Sequence, residues 1–229
     1  MASTDKKTGF RIQGADGVRA LACLCVFWHH TATHLDPGKR LWSELILSQG
    51  RDAVAVFFVL SGMLLTLPFW QAALGTRPAP HLRNYLVARL GRIIPAYYVC
   101  LFITWALFPV GADRLWRIGA GLTCTNWTHW KTFFPAPHNT ALWSIGVEVA
   151  FYLLLPLWAW GLMRSGGRKW AVLYWITTQL FIAVVQIFFL SKLRVDATMA
   201  HSTDPDQFGA LEFMDYRNPI GLFSHFLFG

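Results

Sequence analysis

The chain alternates long apolar runs with short polar connections that are rich in basic residues. Five runs, at 18–33, 53–74, 93–110, 142–163 and 170–190, approach the roughly 20 residues that a bilayer crossing needs. The polar Gly14-Ala15-Asp16-Gly17 extends the first of them inward. The run at 115–127 is apolar but short, and reads equally as a re-entrant segment or a span. Residues 219–229 open a further helix. The pattern predicts an all-α, polytopic helical membrane bundle of about five or six spans plus the start of another. The stretch 192–218, with Asp204-Pro205-Asp206, reads as a flexible surface connection. No repeat or low-complexity tract interrupts the series, and the first run is too long for a cleavable signal peptide.

Composition agrees with the pattern. Hydrophobic residues make up 55% of the 229 and charged residues 14%, against about 25% charge in a soluble domain. The mean hydropathy is +0.39, and a soluble fold of this size has too little interior for so much apolar surface. The net charge of +8 first suggests nucleic acid. Sorting it by side gives another cause. With the N-terminus in the cytoplasm and 115–127 not crossing, the inner segments hold eleven basic and two acidic residues, the outer loops nine of each. The basic excess is then a topology signal, and no nucleic-acid partner is expected. The cysteines Cys23, Cys25, Cys100 and Cys124 lie in or beside apolar runs without metal-ligand spacing, and read as small buried hydrophobes. No metal site is expected.

Ionisable groups inside spans are costly, and mark candidate functional positions. Asp16, Arg19 and His30 fall on one helical stripe: Arg19 and His30 are eleven residues apart, about 20° from register. His29 falls about 80° away from Arg19, so His30 is the histidine placed for chemistry; an interfacial position for both is the plainer alternative. Ser61 and Gly62 end the Phe57-Phe58-Val59-Leu60-Ser61-Gly62 block, where small residues also serve helix packing. Arg77, His81, Arg83, Arg89 and Arg92 form a basic inner loop. Arg89 and Arg92, three apart on a short helical entry, suit a phosphate, although positive-inside anchoring explains them too. In Trp143-Ser144-Ile145-Gly146-Val147-Glu148-Val149-Ala150-Phe151-Tyr152, Glu148 is the one acid amid a strong span. Ser144 and Tyr152, a turn to either side, are its expected hydrogen-bond partners.

Four blocks together resemble the acyltransferase-3 family of integral membrane acyltransferases. They are Arg11 with Asp16-Gly17-Val18-Arg19-Ala20-Leu21-Ala22 and His30; Phe57 to Gly62; Arg89-Leu90-Gly91-Arg92-Ile93-Ile94-Pro95; and Trp143 to Glu148 with Phe151-Tyr152 and Pro156. The order is right over about residues 11–157. The resemblance implies about ten spans, so that 1–229 would be the N-terminal part of one acyltransferase transmembrane domain. It implies transfer from acyl-CoA, loaded from the cytoplasm, to a hydroxyl acceptor, commonly of a sugar. The family's functional His falls on His30, its N-terminal Arg on Arg19, its basic pair on Arg89 and Arg92, and its Glu on Glu148. Ala55 stands where many members carry an acid, and Val149-Ala150 replaces a polar pair that often follows the Glu.

The mechanism this implies has His30 as general base, Glu148 orienting the imidazole or stabilising imidazolium, and Arg19 lining the passage beside Asp16. Arg89 and Arg92 would hold the CoA phosphates. Ser61, Trp143, Ser144 and Tyr152 would line the cavity with Asp16. Acyl-CoA is consumed as donor, and no permanently bound cofactor is expected. The acceptor would be a glycan, a lipid-linked sugar or a secondary metabolite, and the remaining partner is the lipid bilayer. A proton-coupled transporter would use the same intramembrane Arg, His and Glu set.

Overall fold

The computed structural model describes residues 14–35, 40–199 and 219–228. Among them all regular structure is helical: α1 (Ala15–Leu35), α2 (Arg40–Ala73), α3 (Leu82–Leu107), α4 (Arg114–Leu122), α5 (Trp143–Met163), α6 (Arg168–Met199) and α7 (Pro219–Phe228), with three short 3-10 turns between α4 and α5. They divide into two compact units, Met1–Ser61 and Gly62–Gly229.

Four stretches are long and apolar enough to cross a membrane: Ala53–Ala73, Leu82–Leu107, Pro137–Met163 and Arg168–Phe189. The first predicted span, 18–33, is helical throughout as part of α1 but does not reach that hydropathy. Asp16, Arg19, His29 and His30 dilute its apolar residues. The short run at 115–127 is not a span. It is the nine-residue α4, stopped by Cys124 in a left-handed conformation (φ 55°) and followed by a 3-10 turn at Asn126–Thr128.

The second helix ends where Gly75 takes a left-handed φ of 71°. There the Gly75 and Thr76 amides donate back to the carbonyls of Ala72 and Gln71, the reciprocal pattern that closes a helix on a glycine. Pro78 and Pro80 stiffen the connection, and α3 begins directly after it, eleven residues before the predicted start. Arg83 therefore lies on the helix and not in an inner loop, and the short helical entry expected for Arg89 and Arg92 is part of α3 itself. Arginine is a good helix former whose stem lies along apolar surface, so the basic residues do not delay the helix. At the other end the chain turns extended at Phe108, as the residue before Pro109 must. The sixth helix likewise runs through 192–199, which was expected to be loop; the remainder of that predicted loop, 200–218, lies outside the described residues. The predicted helix at 219–229 is α7.

Inside the second unit, α3, the α4–α5 connection and α5 share a core of Tyr97, Leu101, Cys124, Ala136, Leu142 and Val149. Burial pushes the Cys124 thiol up, against a smaller opposing effect of its hydrogen bond with Tyr98, so it stays a protonated small hydrophobe. Cys23, Cys25 and Cys100 differ from expectation: all three are exposed on helix faces. Between α5 and α7, Phe151 packs on Phe223 and Phe226. The α6–α7 contact is hydrogen-bonded, Ser224 to Gln179 at 2.6 Å and Trp175 to the Leu227 carbonyl at 2.9 Å; such bonds join helices where no hydrophobic drive exists. Outward, α6 presents Leu180, Phe181, Val184, Ile187 and Phe188, a face suited to lipid. Prolines stand inside three helices, Pro68 in α2, Pro95 in α3 and Pro156 in α5.

Candidate functional site

The expected site residues fall in both units. Asp16, Arg19, His29 and His30 lie on the uninterrupted helix α1, as the stripe argument requires. Asp16 is exposed and Arg19 half-buried. His29 and His30 are equally half-buried, with their rings edge to face at 5.4 Å. Exposure of the whole residue does not separate the two histidines, although the Nδ1 of His29 is buried; the helical register favours His30. Ser61 is buried.

In the second unit, Glu148 accepts a hydrogen bond from the Tyr152 hydroxyl at 2.5 Å. This is the predicted one-turn partnership, and it places a carboxylate and a phenol together on a membrane helix. The other predicted partner behaves differently. Ser144 sits in the first turn of α5, and its hydroxyl donates to the Ala141 carbonyl at 3.1 Å. That carbonyl belongs to the preceding 3-10 turn, close enough to capture the hydroxyl locally. Across from α5, Arg89 on α3 is half-buried and acts electrostatically on the phenols of both Tyr152 and Tyr85. Arg92, predicted to project with it, is exposed. The structure thus gathers Arg89, Glu148, Tyr152 and one unpredicted residue, Tyr85, and leaves Ser144 and Arg92 out of the cluster.

The Trp143-to-Glu148 block has a second job. Trp143 is buried and stacks on Phe133 with 5.2 Å between ring centroids. Asn126, fully buried, donates through Nδ2 to the carbonyls of Phe133 and Trp143. Its carboxamide lies against Gly146, where a Cβ would stand 2.0 Å from Oδ1 and 3.1 Å from the Cys124 carbonyl. Trp143 and Gly146 therefore dock the α4–α5 connection onto the turn that precedes Glu148. Trp143, expected to line a cavity, also packs this connection against α5. Asn126 was not legible as important, because in sequence it is one polar residue among others in a connection.

That interlock makes a prediction. Gly146→Ala forces the Asn126 side chain from its place and is expected to cost about 1–3 kcal/mol. Thermal unfolding of the detergent-solubilised protein should register it as a lower midpoint, and an unchanged midpoint would refute the interlock.

The same connection also buries Arg117, only 2% exposed, with Nη1 donating to the Phe134 carbonyl at 3.5 Å. Tyr97 and Tyr98 tie it to α3 by donating to the carbonyls of Gly121 and Leu122.

Comparison with known proteins adds what geometry alone leaves open. Residues 12–229 match the family model described as an acyltransferase domain. The chain belongs to the acyltransferase-3 family. It is similar to a Bacillus subtilis (strain 168) protein provisionally named a peptidoglycan O-acetyltransferase, YrhL, at 31% identity over 71% of this chain and 26% of that one. It is similar to acyltransferase MdmB of Streptomyces mycarofaciens, at 28% identity over 80% of this chain and 47% of that one. A Staphylococcus aureus (strain COL) protein provisionally named an O-acetyltransferase is 29% identical over 64% of this chain and 24% of its own length. This acyltransferase-3 chain thus spans from about a quarter to about half the length of these curated relatives. No solved structure matches it. Membership gives the transporter alternative no support.

Proposed function

We propose that the full protein is a membrane-bound O-acyltransferase, moving an acyl group, acetyl in the simplest case, from acyl-CoA to a hydroxyl of a carbohydrate or related acceptor. The observation that carries this reading is the family match over nearly the whole chain. The polar set on α3 and α5 supports it, because a carboxylate held by a phenol with a guanidinium nearby has no packing role in a bilayer. In the reaction, His30 takes the acceptor's hydroxyl proton as the oxygen attacks the thioester carbonyl. The carbon–sulfur bond then breaks, and the thiolate of CoA leaves and is reprotonated. A neutral imidazole at working pH suits that base. Glu148 is the carboxylate of the reaction, and Tyr152 fixes its orientation. Arg19 lines the passage with Asp16. Arg89 and Arg92 hold donor phosphates, a task for which guanidinium forks are suited. The N-terminus is cytoplasmic in this reading, donor enters from that side, and no cofactor stays bound.

One experiment tests the assignment at its most exposed point. In the full-length protein, His30→Ala is expected to remove acyl-CoA-dependent acetylation of the acceptor, read by mass spectrometry, while His29→Ala retains most of it. Equal loss from both replacements would end the role of His30 as the single base.

A further inference from the structure

Five tyrosines lie among the described residues, and four of them use their hydroxyls. Tyr97 and Tyr98 donate to the carbonyls of Gly121 and Leu122, Tyr174 to that of Trp158, and Tyr152 to Glu148. Tyr85 is the exception: its hydroxyl is buried and has no hydrogen-bond partner. Its ring is held edge-on to Phe69 at 5.7 Å, so the hydroxyl is fixed in place rather than free to swing toward water. Among the described residues the Arg117 Nε and Asn126 Oδ1 also lack hydrogen-bond partners; of these groups it is Tyr85 that stands one turn from Arg89. A buried hydroxyl left unsatisfied costs free energy and asks for an explanation.

Its surroundings supply one. Arg89 stands one helical turn on and acts on the Tyr85 phenol, yet no hydrogen bond or ion pair holds its guanidinium among the described residues. The i, i+4, i+7 spacing puts the backbone positions of Tyr85, Arg89 and Arg92 along about 10 Å of a single stripe of α3, with Tyr85 and Arg89 half-buried and Arg92 at its exposed end. Glu148, the acceptor of this cluster, already receives Tyr152. The stripe therefore offers many N–H and O–H donors and few acceptors. An occupant that balances it brings acceptor oxygens and negative charge, and its length fits more than one phosphate.

We propose that Tyr85 is a ligand of the phosphate site on α3, its hydroxyl donating to a phosphate oxygen that Arg89 also holds. This rests on the reading of Arg89 and Arg92 as donor-binding residues and adds a residue that the basic motif does not contain. The same phosphate chemistry is available from acyl-CoA and from an anionic lipid headgroup, and the test separates them.

The full-length protein, wild type and Tyr85→Phe, is placed in nanodiscs of neutral lipid and titrated with CoA. In parallel, uptake of labelled phosphatidylglycerol is measured from vesicles of neutral lipid doped with it. Phenylalanine keeps the ring packing on Phe69 and removes only the hydroxyl, so the thermal midpoint should hold or rise. If the phosphate is that of the donor, the CoA Kd should rise about tenfold or more with phosphatidylglycerol uptake unchanged. If it is a headgroup, phosphatidylglycerol uptake falls by a similar factor and CoA binding does not move. Unchanged affinity for both overturns the proposal, as does a fall of several degrees in the midpoint without either change, which would make the hydroxyl structural. A wild-type protein that binds no CoA defeats the donor reading instead, and the phosphatidylglycerol arm then decides Tyr85 by itself.

Discussion

Glu148→Gln is expected to reduce acyl transfer by about 10²–10⁴-fold, the range a positioned acid–base group contributes, while the protein still folds. The glutamine carbonyl can accept the Tyr152 hydroxyl as the carboxylate does, so the local hydrogen bond and the packing of α5 survive. What is lost is the negative charge. The measurement is acceptor acetylation per molecule of detergent-solubilised protein, beside a thermal unfolding scan of the same sample. Activity within threefold of wild type would make Glu148 a structural residue and remove it from the reaction. A collapse of stability together with activity would place its weight on folding; Tyr152→Phe, which removes the hydrogen bond and leaves the carboxylate, would then separate the two contributions.

The largest effect on folding is expected at Gly62. A Cβ there would lie 1.7 Å from the backbone oxygen of Phe226 and 2.6 Å from its carbonyl carbon. Two backbones meet at that point, and no side-chain rotation can relieve the clash. Gly62→Ala must therefore push α7 from the helix it packs on and disturb the Phe151, Phe223 and Phe226 contacts beneath it. The expected cost lies at or above the upper end of the about 1–3 kcal/mol typical of overpacking, despite alanine's better helix propensity. Gly91→Ala is the control. Nothing lies within 4 Å of a Cβ at Gly91, so propensity alone operates there, and that variant should be neutral or stabilised by up to about 1 kcal/mol. Equal melting midpoints for the two variants would refute the close approach.

The spans were legible because twenty apolar residues are visible whatever they pack against. The 53–74, 142–163 and 170–190 runs reappear as helical segments of α2, α5 and α6. The start of α3 was misread because arginines look like loop residues, although Leu82, Tyr85, Leu86 and Leu90 continue an apolar line beside them. The Glu148–Tyr152 pair was legible since one turn of a helix fixes that distance without help from elsewhere. Ser144, at the same spacing on the other side, was not: at a helix start its hydroxyl is within reach of a carbonyl in the preceding turn. The Gly62 and Gly146 positions looked like generic small residues. Their neighbours, Phe226 and Asn126, lie 164 and 20 positions away, and only the tertiary fold shows what each glycine makes room for. Tyr85 escaped for a like reason, since a missing partner is invisible until all possible partners have been placed.

The prolines of α3 and α5 stand beside the polar cluster. Pro156 lacks the N–H that the Tyr152 carbonyl would otherwise receive, and Pro95 does the same to Gly91, between Arg89 and Arg92. Each helix has thus given up one rung of its ladder within a turn of the residues that carry charge, and a missing rung is where a helix bends. The reinforcement of each helix along its own axis is therefore weakest at the height where its charged residues stand.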